Sequence, residues 1–414
     1  MLLAAGIGNF IEWYDFIVYG FVAPILAPLF FPSADFVTSL LATFVVFGVG
    51  FGLRPIGGLV LGPLGDRYGR RLSLVLVISL MAVGTTMLGC APTFAQVGIV
   101  GPIVLVCARA IQGFAIGGEF ASSSAFIVEY APPGQRGRYG GWQMFSQMAG
   151  LFAGAVVSGA MINVLSPDAA RVWGWRVAFL LAVPLIAVAM YVRWRLADTP
   201  VFERAEKVGT EAAPLRTSLR RNWRQLLNGI GVLCLPGIAV YALFVSMPAY
   251  LVATEQVPLS TGLISTIIGL GVFTVVIPPA AALTDSVGRR PVFLAGALIT
   301  TALAYPAYML IGTKSVAAIV AAQVVMGIVL GIMHAPVPAI LVEAFGTRTR
   351  VSSVAISYGI ATAVFSGSAP YLTTWLTSVT HDARIPGVLV AAAGLITIAS
   401  GLTMPETANK ELTV

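Results

Sequence analysis

The sequence predicts an all-α polytopic membrane protein, with twelve transmembrane helices in two pseudo-symmetric six-helix bundles. Three observations predict it. Of 414 residues, 58% are hydrophobic and only 10% charged, whereas a soluble domain carries about 25% charged residues. Apolar runs of the roughly 20 residues needed to cross a bilayer recur along the whole chain. A charged turn also occurs twice: Gly62-Pro63-Leu64-Gly65-Asp66-Arg67-Tyr68-Gly69-Arg70-Arg71 returns 219 positions later as Ala281-Ala282-Leu283-Thr284-Asp285-Ser286-Val287-Gly288-Arg289-Arg290, with Leu, Asp, Gly and both basic residues in register. Two copies of one membrane unit are a common construction in transporters, so transport is the leading expectation.

Taken in order, apolar runs between charged or Pro/Gly punctuation place spans at 3–30, 36–62, 72–92, 98–130, 138–164, 173–194, 225–253, 260–284, 291–312, 316–343, 351–378 and 385–404. The first holds Glu12 and Asp15 and continues for a full span, so it reads as a retained helix rather than a cleavable signal. The second and third flank the charged turn; the fourth carries Arg109, Gln112 and Glu119; the fifth and sixth close the unit. Residues 193–224 hold twelve charged residues, eight basic and four acidic, and no long apolar run. The expected organisation is therefore an N-terminal bundle (1–192), a cytoplasmic linker (193–224) and a C-terminal bundle (225–414). The tenth span repeats the fourth at an offset of 214: Gly113, Gly117, Ala121, Ala125, Val128 and Glu129 return as Gly327, Gly331, Ala335, Ala339, Val342 and Glu343. Parallel repeats of this kind place a substrate cavity between the halves near the midplane.

Charge placement sets the orientation. Alternate loops carry 17 Lys and Arg on one side and 4 on the other (Arg171, Arg176, Lys314, Arg384), and positive loops stay cytoplasmic, which puts both termini there. The net charge of +7 thus belongs to a membrane surface and not to nucleic-acid binding. Three cysteines in apolar runs and two histidines supply neither metal spacing nor a nucleophile–base set, which argues against an enzyme. No metal or cofactor is expected beyond protons as coupling ion, and nothing suggests more than a monomer in the lipid bilayer.

Ionisable side chains within a span are costly and are functional candidates by default. Glu12, Asp15 and Tyr19 fall within about 60° of arc on one helix face. Two such carboxylates in a low-dielectric wall cannot easily both ionise, which suits a proton carrier; a structural hydrogen-bond network is the alternative. Arg109 lies near half depth and keeps its charge almost anywhere, so it must find an anion: a carboxylate of helix 1 or one on the substrate. Gln112 and Glu119 share a stripe of the same helix, and Glu119 could instead pair with Arg54. Glu12, Asp15, Arg109 and Glu119 form the expected proton-coupling set, facing a shared hydrated cleft. Arg109, Arg54, Gln112, Tyr19, Tyr241, His334 and Tyr358 form the expected substrate set, against the plainer reading of the tyrosines and histidine as core residues. The repeat places Gln323 opposite Arg109 and Met333 opposite Glu119, so coupling is expected in the N-terminal half. His334 precedes Pro336 and Pro338, whose missing backbone donors loosen that segment. At the cytoplasmic ends, Asp66 can dock at the N-terminus of a helix from the other half and Arg70 can pair with Glu129; Arg71, Arg136, Asp285 and Glu343 complete the expected gate.

Several strings carry a family resemblance: the Gly62–Arg71 turn with Arg109, Gln112 and Gly113; Gly8-Asn9-Phe10-Ile11-Glu12-Trp13-Tyr14-Asp15-Phe16 with Tyr19-Gly20; Arg54-Pro55-Ile56-Gly57; Gly117-Gly118-Glu119; Asp198-Thr199-Pro200-Val201-Phe202; and Pro405-Glu406-Thr407. On these the chain resembles the major facilitator superfamily and, within it, the metabolite:proton symporter family. The resemblance implies proton-coupled uptake across a bacterial inner membrane by alternating access, with Asp66 and Arg70 in the cytoplasmic gate and Arg109 in proton handling. The main expectation is symport of a small organic acid (carboxylate). The alternatives are uptake of a zwitterionic osmolyte such as a betaine or proline, and proton-antiport export of a drug or metabolite. Tyr358-Gly359 and Ala344-Phe345-Gly346 depart from the family's usual Tyr-Asn and Leu-Phe-Pro, a difference that bears on substrate rather than fold.

Overall fold

The computed structural model describes the backbone of residues 2–68, 70–117, 119–195, 222–346, 349–408 and 410, with side chains from residue 6 onward apart from 62–74, 189 and 191–195. Its helices are α1 (Leu2–Phe30), α2 (Phe36–Leu61), α3 (Arg70–Cys90), α4 (Val100–Glu129), α5 (Arg136–Val164), α6 (Pro167–Val188), α7 (Trp223–Val245), α8 (Leu259–Val287), α9 (Arg289–Ile311), α10 (Val316–Glu343), α11 (Arg350–Thr380) and α12 (Ile385–Thr403). Among the described residues there are no strands. Eleven of the helices are long and apolar enough to cross a membrane, and the described part of α3, Val75–Cys90, is shorter. The helices follow the predicted order, with ends shifted by a few residues.

The elements start and stop for local reasons. Asp35 caps α2, accepting from the backbone N–H of Val37 (3.2 Å) and Thr38 (2.9 Å); the hydroxyl and N–H of Thr38 together hold its carboxyl below the usual carboxylate range. Three helices of the second half are interrupted. The α7 span has a π-helical turn at Tyr241–Val245 before it continues as Met247–Ala253. The α10 span breaks between His334 and Val337, at Pro336, where the ring lacks a donor and clashes with the preceding turn. The α11 span has a π-helical turn at Thr362–Ser366.

Between the two sets of six helices, α5 packs along α8, and α2 meets α11. Advancing each helix number by six converts the first pair into the second, so the interface has the two-fold character expected of a duplicated unit. Within the first set, α2 and α4 touch backbone to backbone. A Cβ built on Gly113 would lie 1.8 Å from the Gly50 carbonyl oxygen, one on Gly57 1.8 Å from that of Phe114, and one on Gly117 2.0 Å from that of Arg54. Glycine at these positions lets the two helices carry Arg54 and Arg109 into one small volume.

We predict that Gly113→Ala forces α2 and α4 apart and destabilises the protein by ~1–3 kcal/mol, as overpacking does. Gly52→Ala, whose added methyl meets nothing within 4 Å, should leave thermal unfolding in detergent almost unchanged. Equal melting temperatures for the two variants would refute the tight contact.

Candidate functional site

Asp15 and Arg109 are both fully buried, with no exposed surface, and they do not touch each other directly. Gln112 bridges them. Its Nε2 donates to Asp15 Oδ2 (2.9 Å), and its Oε1 accepts from Arg109 Nη1 (3.0 Å). The amide orientation follows from its neighbours, since the carboxylate needs a donor and the guanidinium an acceptor. Thr85 Oγ1 donates to the same carboxylate oxygen (2.5 Å), and Arg109 Nη1 also reaches the Phe16 carbonyl (3.1 Å). Asp15 Oδ1 and Arg109 Nε and Nη2 have no hydrogen-bond partner. The remaining face of the guanidinium lies on aromatic rings: Phe16 (3.9 Å to the centroid), Tyr19 (4.8 Å) and Phe47 (5.1 Å). Cation–π contact offsets part of the desolvation there.

Arg54 lies on the other side of the same aromatic group. It is 2% exposed, and its guanidinium carbon is 4.2 Å from the Phe51 ring, 4.4 Å from Phe16 and 5.1 Å from Trp13. Among the described residues none of its three nitrogens has a hydrogen-bond partner, so the pairing with Glu119 left open by the sequence is not made as a hydrogen bond. Glu119 instead lines a crevice of about 30 Å³ with Glu12, Val77, Ile78, Met81 and Ile186.

The structure thus regroups the expected coupling set. Glu12 and Asp15 both point toward α3, as their spacing required, but Glu12 falls beside Glu119 and Asp15 beside Thr85, Gln112 and Arg109. The expected hydrated cleft common to Glu12, Asp15 and Arg109 does not form among the described residues: Asp15 and Arg109 have no exposed surface, Phe16, Tyr19 and Phe47 lie against the Arg109 guanidinium, and none of the three residues lines the central cavity. Thr85 was missed because one threonine in an apolar run has no sequence signal; its role depends on how α3 is rotated.

The central cavity, about 50 Å³, lies between the halves. From the first half it is lined by Trp13, Met144, Gln147 and Met148, and from the second by Tyr241, His334, Tyr358, Thr362 and Ser366 among others. The three interrupted helices all present their irregular turns to it. Tyr241, His334 and Tyr358 therefore reach it as expected. Tyr19 and Gln112 do not: the Tyr19 hydroxyl donates to the Thr43 carbonyl (3.1 Å), and Gln112 is occupied between Asp15 and Arg109. Tyr358 stacks on Phe120 at 3.7 Å, and His334 Nδ1 faces the Leu330 carbonyl at 2.9 Å. Among the described residues lining the cavity, none is acidic.

At the end of the bundle that carries Arg136, an ionic lattice joins the halves. Asp285 accepts from the N–H groups of Gly137 (2.8 Å) and Arg138 (3.0 Å) at the start of α5 and from Arg289 (3.0 Å). Glu343 meets Arg289 (3.5 Å) and Arg136 (3.9 Å), and Glu129 meets Arg350 (2.6 Å). Asp285 thus performs the helix-end docking expected of its repeat counterpart Asp66. The side chains of Asp66, Arg70 and Arg71 lie outside the described residues, as does the expected Arg70–Glu129 pair. Glu406 accepts from the N–H groups of Arg289 and Arg290 at the start of α9 (3.0 Å each). Burial raises its proton affinity, but backbone donors outweigh it and hold the carboxyl below the ordinary range. Its contribution to the lattice is therefore complete above the ordinary Glu pKa, about 4.3, and disappears as pH falls through the lower folded value.

The family model described as Major Facilitator Superfamily matches residues 5–275 and 256–412. The chain is 34% identical to the proline/betaine transporter of Salmonella typhimurium over 99% of its own length and 84% of that protein's. It is 32% identical to the citrate-proton symporter of Klebsiella pneumoniae over 94% and 87%. A crystal structure of a D-xylose-proton symporter superposes with a TM-score of 0.78 at 18% identity, covering 100% of this chain and 99% of that one. The family model and these relatives make the protein a transporter and not an enzyme. The chain belongs to the major facilitator superfamily.

We predict that Gln112→Leu, which leaves Asp15 and Arg109 each short of a buried partner, costs ~1–3 kcal/mol of stability. Gln112→Glu should restore contact with Arg109 but place a like charge beside Asp15. Thermal unfolding of the purified variants checks both. An unchanged melting temperature for Gln112→Leu would show that the bridge contributes nothing.

Proposed function

We propose that the protein is a proton-coupled symporter for a small zwitterion of the betaine or proline type, acting as a monomer in a bacterial inner membrane with both termini in the cytoplasm. One observation carries the substrate class: the cavity between the halves is walled by Trp13, Tyr241 and Tyr358 with no acidic lining residue. An aromatic wall without a counter-carboxylate suits an ammonium group whose own charge is balanced by a carboxylate on the same molecule. A tricarboxylate would need several cations, and the described lining offers none. The named activities of the Salmonella and Dickeya relatives, the latter a glycine betaine/proline/ectoine/pipecolic acid transporter, support this reading. It displaces the organic acid expected from sequence, which the Klebsiella relative keeps as the second reading.

The coupling proton is assigned to Asp15. In this closed arrangement the carboxylate is dry, so water reaches it only when the helices part. Proton exchange is thereby tied to the change of conformation rather than to an open channel, which is the condition for coupling. Glu12 and Glu119, in their own crevice, serve as a second acidic station on the same face of α1.

In proteoliposomes with an inwardly directed proton gradient, uptake of labelled glycine betaine or proline should rise several-fold over the gradient-free rate, and citrate uptake should not. Efflux driven by the same gradient would establish antiport and overturn the proposal; gradient-driven citrate uptake would favour the second reading. Asp15→Asn should abolish the response to the gradient while substrate exchange persists. A variant that still accumulates substrate against its gradient would remove Asp15 from the coupling.

A further inference from the structure

A buried cation with no partner is expensive, because taking a guanidinium out of water costs several kcal/mol unless charge or hydrogen bonds replace the solvent. Arg54 is such a group: nearly sealed, with Nε, Nη1 and Nη2 all unmatched. Arg109, the other deep arginine, has two acceptors on Nη1; Arg54 has aromatic faces alone. Those faces lead to the central cavity. Trp13, 5.1 Å from the Arg54 guanidinium, lines the cavity, and so do Tyr241 and Tyr358. Phe51 packs edge-on against Tyr241 at 5.3 Å, so Arg54 stands one side chain behind the cavity wall. On that wall the Tyr241 hydroxyl and Gln147 Oε1 are likewise buried without hydrogen-bond partners. Unmatched polar atoms and an aromatic surface thus converge on one small space.

We propose that Arg54 is the carboxylate anchor of the substrate site, aided by the Tyr241 hydroxyl, while Trp13, Tyr241 and Tyr358 enclose the ammonium end. This rests on the zwitterion reading above and assigns its two halves to named side chains. A guanidinium fork matches a carboxylate bidentately. In a betaine one carbon separates carboxylate from nitrogen, so an acid held at Arg54 leaves the alkylated nitrogen against the neighbouring rings. The cavity of about 50 Å³ holds water-sized occupants, so Trp13 and Tyr241 must part for the substrate to reach Arg54. The walls can part: α7 and α11 have π-helical turns at this level, where the helical hydrogen-bond pattern is already relaxed.

The test uses the full chain in detergent and three probes of nearly equal shape, with binding measured by calorimetry. Glycine betaine has both groups, choline lacks the carboxylate, and 3,3-dimethylbutyrate replaces the quaternary nitrogen by carbon. The wild type should bind glycine betaine more tightly than either relative. Arg54→Gln should weaken glycine betaine about tenfold or more and leave choline unchanged, with Arg54→Lys intermediate. Trp13→Leu should weaken glycine betaine toward the level of 3,3-dimethylbutyrate and leave the latter unchanged. Wild-type affinity for glycine betaine in a folded Arg54→Gln protein, or a parallel loss of choline, would overturn the anchor. If the wild type prefers 3,3-dimethylbutyrate and loses it in Arg54→Gln, the anchor stands and the zwitterion reading fails. Should the wild type bind none of the three probes, both fall.

Discussion

The site depends on the backbone contact between α2 and α4. Three glycines, Gly57, Gly113 and Gly117, bring main chain against main chain so closely that a single methyl would collide with a carbonyl oxygen. That approach sets two arginines on one phenylalanine: Phe16 lies 4.4 Å from the Arg54 guanidinium and 3.9 Å from that of Arg109. Like charges gathered in a dry interior repel, and the arrangement survives because each cation is given a different remedy. Arg109 is tied through Gln112 to Asp15 and to a main-chain carbonyl; Arg54 is surrounded by rings. The first is satisfied within the protein, and the second is left with unused donors beside the central cavity. Proton chemistry and substrate recognition can thus be neighbours without sharing a residue.

The two halves have diverged within one architecture. Where α4 carries Arg109, α10 carries Gln323, buried and with neither amide atom hydrogen-bonded. At the cavity, the second half contributes irregular backbone. The turns at Tyr241–Val245, His334–Val337 and Thr362–Ser366 all face the cavity, whereas α1 and α5 supply its opposite wall from longer helices. A straight wall bearing Trp13, Gln147 and two methionines against a jointed wall bearing aromatic and hydroxyl groups is a division of labour suited to closing over a small ligand. The lattice of Asp285, Arg289, Glu343 and Arg136 at one end ties the two halves through discrete charged contacts.

Much of this was legible in the sequence, for reasons that are local or repetitive. Span lengths follow from the number of apolar residues a bilayer demands, and the repeated turn exposed the duplication. Depth along a helix is simple arithmetic, so Asp15, Arg54 and Arg109 stood out as intramembrane charges; Tyr241, His334 and Tyr358, candidates beside the plainer reading as core residues, line the cavity. The partnerships were not legible. Glu12 and Asp15 share a face of α1, yet one meets Glu119 and the other Thr85 and Gln112, because the packing of α3 and α4 sets which neighbour each carboxylate finds. Arg54 and Glu119 have opposite charge and similar depth, yet no hydrogen bond joins them.

The sequence by itself determined a membrane protein of two related six-helix units, with its ionisable groups concentrated in the first, because hydropathy, repeat spacing and charge are properties of residues taken in order. Only the tertiary structure decided which of those groups are satisfied and which are not. Rotation of each helix about its axis, fixed here by glycine contacts and aromatic packing, sends Arg109 to Gln112 and leaves Arg54 behind the cavity wall. That choice depends on angstrom-scale distances between residues dozens of positions apart, and no linear pattern records them.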